Sequence, residues 1–139
     1  MHYSEEQIVN LEEELENCLR GLYRLQGSCA EEAQRTDSPK ATEYLNHGVN
    51  RRLITLRHAL AKIFMNLPPD LQNPASRESV LDAQVNLYAF LIGVVGIFDN
   101  LAWAYAYHHD IQELLRKKQS VDLFKKKTQD HFRQKSLSI

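Results

Sequence analysis

"GVVGIFDNLAWAYAYHHD", residues 93–110, decides the fold. It runs apolar, meets Asp99-Asn100, turns apolar and aromatic again, and closes on His108-His109-Asp110. With its upstream neighbours it forms a stretch from Leu87 to Tyr107, long enough to cross a bilayer, which takes about 20 apolar residues. Asp99 and Asn100 fall inside that stretch, and an Asp at the centre of a span costs about 2.5–3.5 kcal/mol on insertion scales. The preceding "SRESVLDAQVN" is not a membrane flank. The stretch therefore reads as the central helix of a bundle, buried and covered on most sides. Gly93 and Gly96 mark a close helix approach or a kink. A polar pair inside such a helix needs partners. Arg51, Arg52 and Arg57 are the available cations, so a buried Asp99–Arg bond or contact with ordered water is expected, with a polar pocket at Asp99 and Asn100 as the functional alternative.

Working outward, the elements on either side also read as helices. "SEEQ" at residues 4–7 fits a capping box. After it, Ile8, Leu11, Leu15, Cys18, Leu22, Leu25 and Cys29 recur at heptad spacing, so a helix over 4–34 is expected to pack this seam on another helix. Ser38 and Pro39 open a second helix, 38–66, with an apolar face of Tyr44, Leu45, Val49, Leu53, Leu56, Leu60, Ile63 and Phe64. "LPPDLQNPAS" cannot continue it, since tandem proline lacks the amide donors. The central helix is expected over 76–118 and a fourth over 120–135, with Ser120 as its cap and Val121, Phe124, Thr128 and Phe132 on one face. No strand alternation of useful length and no internal repeat is present. The fold class is all-α: a single domain over 1–139, an up-and-down bundle of about four helices with a long central one.

Composition narrows the function. The 139 residues carry a net charge of −1, so no global field favours nucleic acid or acidic substrates. Residues 1–35 hold eight acids against three arginines, and residues 116–139 hold eight Lys/Arg against two Asp. The simplest consequence is mutual attraction or solvation of the two ends. Cys18 and Cys29 are eleven apart, about 16 Å along one helix, too far for a disulfide. They read as small core residues in a reducing compartment. No secretory signal is visible at the N-terminus, and the expected location is cytoplasmic.

No cofactor and no metal is expected. His108 and His109 diverge by about 100° on a helix and cannot readily share an ion. His109 and Glu113 have the i, i+4 spacing, but one pair does not make a site. No CxxC, nucleophile triad or Gly-rich phosphate loop occurs.

Two segments together carry a resemblance: "RRLITLRHALAKIFMNLPPDL" (51–71) and "FLIGVVGIFDNLAWAYAYHHDI" (90–111). This arrangement resembles a group of bacterial all-helical proteins with an Asp-Asn-Leu-Ala-Trp central helix, which is similar to HEPN-like helical domains. The resemblance spans roughly residues 45–115. It implies a short helical bundle in a toxin–antitoxin or defence setting, and in many members an RNase that uses Arg-x(4–6)-His across a dimer. Arg51-x6-His58 and Arg52-x5-His58 match that spacing. Their context departs from the pattern: Arg51 is followed by Arg52 and Arg52 by Leu53, where a polar residue is usual. The pair also lies on the second helix rather than late in the chain. Metal-independent RNA cleavage needs a base for the 2′-hydroxyl and a cation for the phosphate. Arg51, Arg52 and His58 are thus the candidate catalytic residues, although a solvated face explains them as well. The leading expectation is a homo-oligomer that serves as an interaction or oligomerisation module, dimerising through the first or the central helix. A protein partner fits this expectation, RNA fits the RNase alternative, and no membrane is expected.

Overall fold

The computed structural model describes residues 3–116 and 121–136, and these are all-α, with no strand among them. The order is α1 (Glu5–Arg35), α2 (Pro39–Glu43), a π-helical segment π1 (Tyr44–Asn50), α3 (Arg51–Asn66), α4 (Arg77–His108), α5 (Gln112–Arg116) and α6 (Lys126–Ser136). The helix starts follow from the caps. The Gln7 amide donates to Ser4 Oγ at 3.2 Å and the Ser4 amide donates to Gln7 Oε1 at 2.9 Å, completing the capping box. Ser38 accepts from the Ala41 amide ahead of Pro39, and Ser76 accepts from the Ser79 amide at 3.0 Å.

The path from Pro39 to Asn66 is helical throughout, as its apolar pattern requires, but π1 interrupts the α register inside it. The wider turn carries Leu45, Gly48 and Val49 inward, and α3 continues the buried face with Leu53, Leu56 and Ala59. These residues meet Cys29 and Ala33 of α1 and Ile97 and Ala104 of α4 in one core. Removing a Leu of this kind from water is worth about 1.5–3 kcal/mol. Cys29 is buried there with its thiol pKa raised by desolvation, whereas Cys18 lies outside the cluster and is exposed. The α1 stripe is thus deeply seated only at its C-terminal end.

α4 is the long central helix, and it departs from expectation in two ways. It ends at His108 rather than near residue 118. Asp110 adopts φ 48, the Ile111 amide donates to Ala106 O at 3.0 Å and the Asp110 amide donates to Tyr107 O at 3.3 Å. That is the paired-bond left-handed helix stop, with Asp in the position that glycine usually holds. The second departure is one-sided cover. Gly93, Ile97, Ala102, Ala104 and Ala106 are buried, but Ile92 is 73% exposed, Val85 65% and Tyr88 64%. The face that α5 and α6 cover at Ala102 and Ala106 runs uncovered toward the N-terminal half of the helix.

A second cluster, Ala102, Ala106, Leu114 and Val121 with Trp103, Ile111, Leu115, Leu123 and Phe132, seats the C-terminal segment. α6 starts at Lys126, later than expected. Asp122 Oδ1 accepts from the Phe124 amide at 2.9 Å and Asp122 O from the Lys125 amide, holding a turn before the helix. Ser120, the expected cap, lies outside the described residues.

Candidate functional site

The polar pair of α4 and the arginines of the second helix do converge, though not as an ion pair. Gly48 has no side chain, and Asn100 fills the space where a Cβ would sit. Asn100 Nδ2 donates to Gly96 O at 2.5 Å, which seats the amide against its own helix. Arg52 Nη1 donates to Gly48 O at 2.8 Å, and its Nε lies against Gly96. Gly96 and Gly93, which faces Leu56, therefore serve close approach, and α4 passes both without a break. The result is a cleft of about 250 Å³ lined by Glu43, Tyr44, His47, Gly48, Arg52 and Asn100.

Asp99 does not join it. The side chain has no hydrogen bond or ion pair among the described residues, so the expected Asp99–Arg bond is absent. All three arginines are oriented elsewhere. Arg52 turns to Gly48, Arg57 donates to Gln26 Oε1 at 3.3 Å and lies 5.0 Å over the Tyr23 ring, and Arg51 is exposed. His58 is exposed too, seven residues from Arg51 on the same face of α3. The structure thus divides the candidate catalytic residues. Arg51 and His58 share the outer face, while Arg52 is committed to the cleft with His47, which sequence reasoning passed over. His47-x4-Arg52 reverses the order of the sought motif, and only the π turn brings both to one cleft, so no local pattern marked them.

Charge in the cleft is set by neighbours. Lys40 Nζ lies 2.8 Å from Glu43 Oε2 and holds that carboxylate below its usual range, with His47 adding a smaller effect. Tyr44 is half-buried and its phenol is raised by desolvation, then by Tyr107. Its ring stacks on Trp103 at 5.9 Å and on Tyr107 at 5.6 Å, so these aromatic residues of α4 back the tyrosine that lines the cleft.

A second recess, about 290 Å³, lies between Glu32, Leu45, Leu101, Ala104, Tyr105, His108 and His109. His108 Nδ1 is 2.8 Å from Thr36 Oγ1, and the His109 ring is 4.2 Å from that of Tyr105. Burial, with the charges of His108 and Lys135 behind it, lowers the His109 pKa. A lowered pKa favours the neutral ring in the folded state, so the unfolded chain binds more protons as pH drops below about 6.5. Stability from His109 is therefore complete above that pH and falls as pH goes down toward the folded value. Between pH 7.5 and 5.5 the midpoint of thermal unfolding should drop, and His109→Gln should reduce that drop. An unchanged drop in the variant would show that another group is responsible.

No group of three or more His, Cys, Asp or Glu able to hold a metal occurs among the described residues. Glu113, the suggested partner of His109, lies instead 3.3 Å from His131 Nε2. A groove of about 540 Å³ at the other end, between α1 and the proline loop, is lined by residues such as Tyr3, Leu11, Phe64 and Pro68, with no acid, histidine or cation.

No protein-family model matches the chain, and neither a curated protein nor a solved structure matches it.

Proposed function

We propose that this chain is a HEPN-like helical bundle acting as an interaction or oligomerisation module, cytoplasmic, in a bacterial toxin–antitoxin or defence setting. One observation carries the reading: the uncovered apolar face of α4. Leu81, Val85, Leu87, Tyr88, Leu91, Ile92 and Val95 are all exposed along it. A run of large exposed apolar side chains on one helix marks an interaction surface. Spanning a bilayer would submerge the helices packed on α4. α3 carries Arg51, His58 and Lys62 and α1 carries a row of glutamates, so a span would draw these charges toward hydrocarbon, which counts against it. Size-exclusion chromatography with light scattering tests the proposal. A mass of two or more 16.1 kDa chains across a dilution series is expected. A monomer at every concentration would overturn it.

The second reading, a metal-independent RNase, draws support from the joint exposure of Arg51 and His58. It competes directly in a cleavage assay on labelled single-stranded RNA with chelator present. Under the leading reading neither wild type nor His58→Ala cuts. Cutting by wild type that disappears in His58→Ala would replace the module with an enzyme. Cutting that disappears in His47→Ala instead would move the centre to the cleft with Arg52.

A further inference from the structure

The uncovered strip of α4 has an internal symmetry. Leu81 and Val95 lie seven residues before and after Tyr88, and Arg77 and Asp99 lie eleven residues before and after it. Steps of seven and eleven return to within about 20° of the same helix face. Reversed about Tyr88, Leu81 falls on Val95 and Val85 on Leu91, both apolar pairs, while Ile92 falls on Gln84; the ends carry a cation and an anion. Neither Arg77 nor Asp99 has a hydrogen bond or ion pair among the described residues. Within one chain they are 22 residues apart, about 33 Å on a straight helix, and can never meet.

We infer that α4 pairs with α4 of a second copy, antiparallel, about a two-fold axis at Tyr88, closed at each end by an Arg77–Asp99 ion pair between copies. This rests on the oligomerisation reading and names its surface. The occupant is fixed by two features. First, the charges suit only one orientation: a parallel pair sets Asp99 against Asp99 and Arg77 against Arg77, whereas the antiparallel pair sets opposite signs together. Second, the free length ends at the right place. At Phe98 the ring of Phe124 packs edge-on at 5.5 Å, and beyond it α5 and α6 cover the helix. A second α4 that begins at Arg77 opposite Asp99 occupies the strip up to that cover.

Cysteine cross-linking in a Cys18→Ser background, with Cys29 left buried, reads the geometry. Tyr88→Cys should form a disulfide-linked dimer by itself. Leu81→Cys and Val95→Cys should each fail alone, because the two copies of either residue then sit about 21 Å apart along the axis. An equimolar mixture of Leu81→Cys and Val95→Cys should cross-link. Strong linkage of Leu81→Cys and Val95→Cys each alone would overturn the antiparallel arrangement. Charge exchange supplies the second arm. Arg77→Glu should weaken the dimer at least tenfold in a dilution series, and Arg77→Glu with Asp99→Arg should restore it; failure of the double variant to restore it would remove the ion pair from the interface. A stable dimer in which no α4 cysteine cross-links would overturn this inference while leaving the module reading intact. A monomer that sediments with phosphatidylcholine vesicles would overturn both.

Discussion

Leu56→Ala should be the most damaging single truncation in the α3–α4 contact, costing about 3–5 kcal/mol in urea unfolding at fixed protomer concentration. Leu56 is fully buried, and its Cδ2 would lie 2.6 Å from a Cβ placed on Gly93. The two residues divide one volume: the glycine gives up its side chain and the leucine takes the space. A truncation there opens a hole that α4 has no side chain to fill, which places the cost in the upper part of the usual range. The complementary change shows the same geometry from the other side. Gly93→Ala alone meets Leu56 and should destabilise despite the better helix propensity of alanine. In the Leu56→Ala background the same methyl has room, and part of the loss should return. Additive losses in the double variant would mean that the helices part rather than share the space.

This contact explains how much of the fold the sequence made legible. Helix starts were readable because Ser4, Ser38 and Ser76 are local signals: each acts on an amide three residues away. The stop at His108 was not, because its left-handed residue is Asp110 and not a glycine, and "HHDIQ" looks like continuing helix until Ile111 is seen packing in the second cluster. The glycines announced close approach, yet which side chain each would face depended on the register of α3, and the π turn resets that register without a sequence signature. The divided candidate site follows from α3 itself: Arg51 and His58, seven apart, share the outer face, while Arg52, turned by about 100° from Arg51, reaches inward to Gly48 and Asn100. Asp99 was legible as a polar residue that needs a partner, but not as one whose side chain makes no ion pair or hydrogen bond among the described residues.

Gly48→Ala should test whether the cleft is a built feature. A methyl on Gly48 would overlap Oδ1 and Cγ of Asn100 and lie 2.8 Å from its Cβ. Asn100 cannot simply turn away, because its Nδ2 is bonded to Gly96 O and α4 is fixed there by Leu56 and Ile97. Alanine gains up to about 1 kcal/mol of helix propensity over glycine. Overpacking of this kind costs typically about 1–3 kcal/mol, and here the neighbour is held, so the net effect should be a loss of about 1–2 kcal/mol by urea titration. Arg52 should register it too, since its anchor is the carbonyl of the substituted residue. In an Asn100→Ala background the nearest overlapping atoms are gone, only the Cβ contact remains, and the cost of Gly48→Ala should fall by at least about 1 kcal/mol, a coupling expected of residues in contact. Equal costs in the two backgrounds would mean that π1 moves away from α4 rather than pressing on Asn100. The cleft would then be a passive gap, and the pairing of His47 with Arg52 would have no fixed geometry on which chemistry could act.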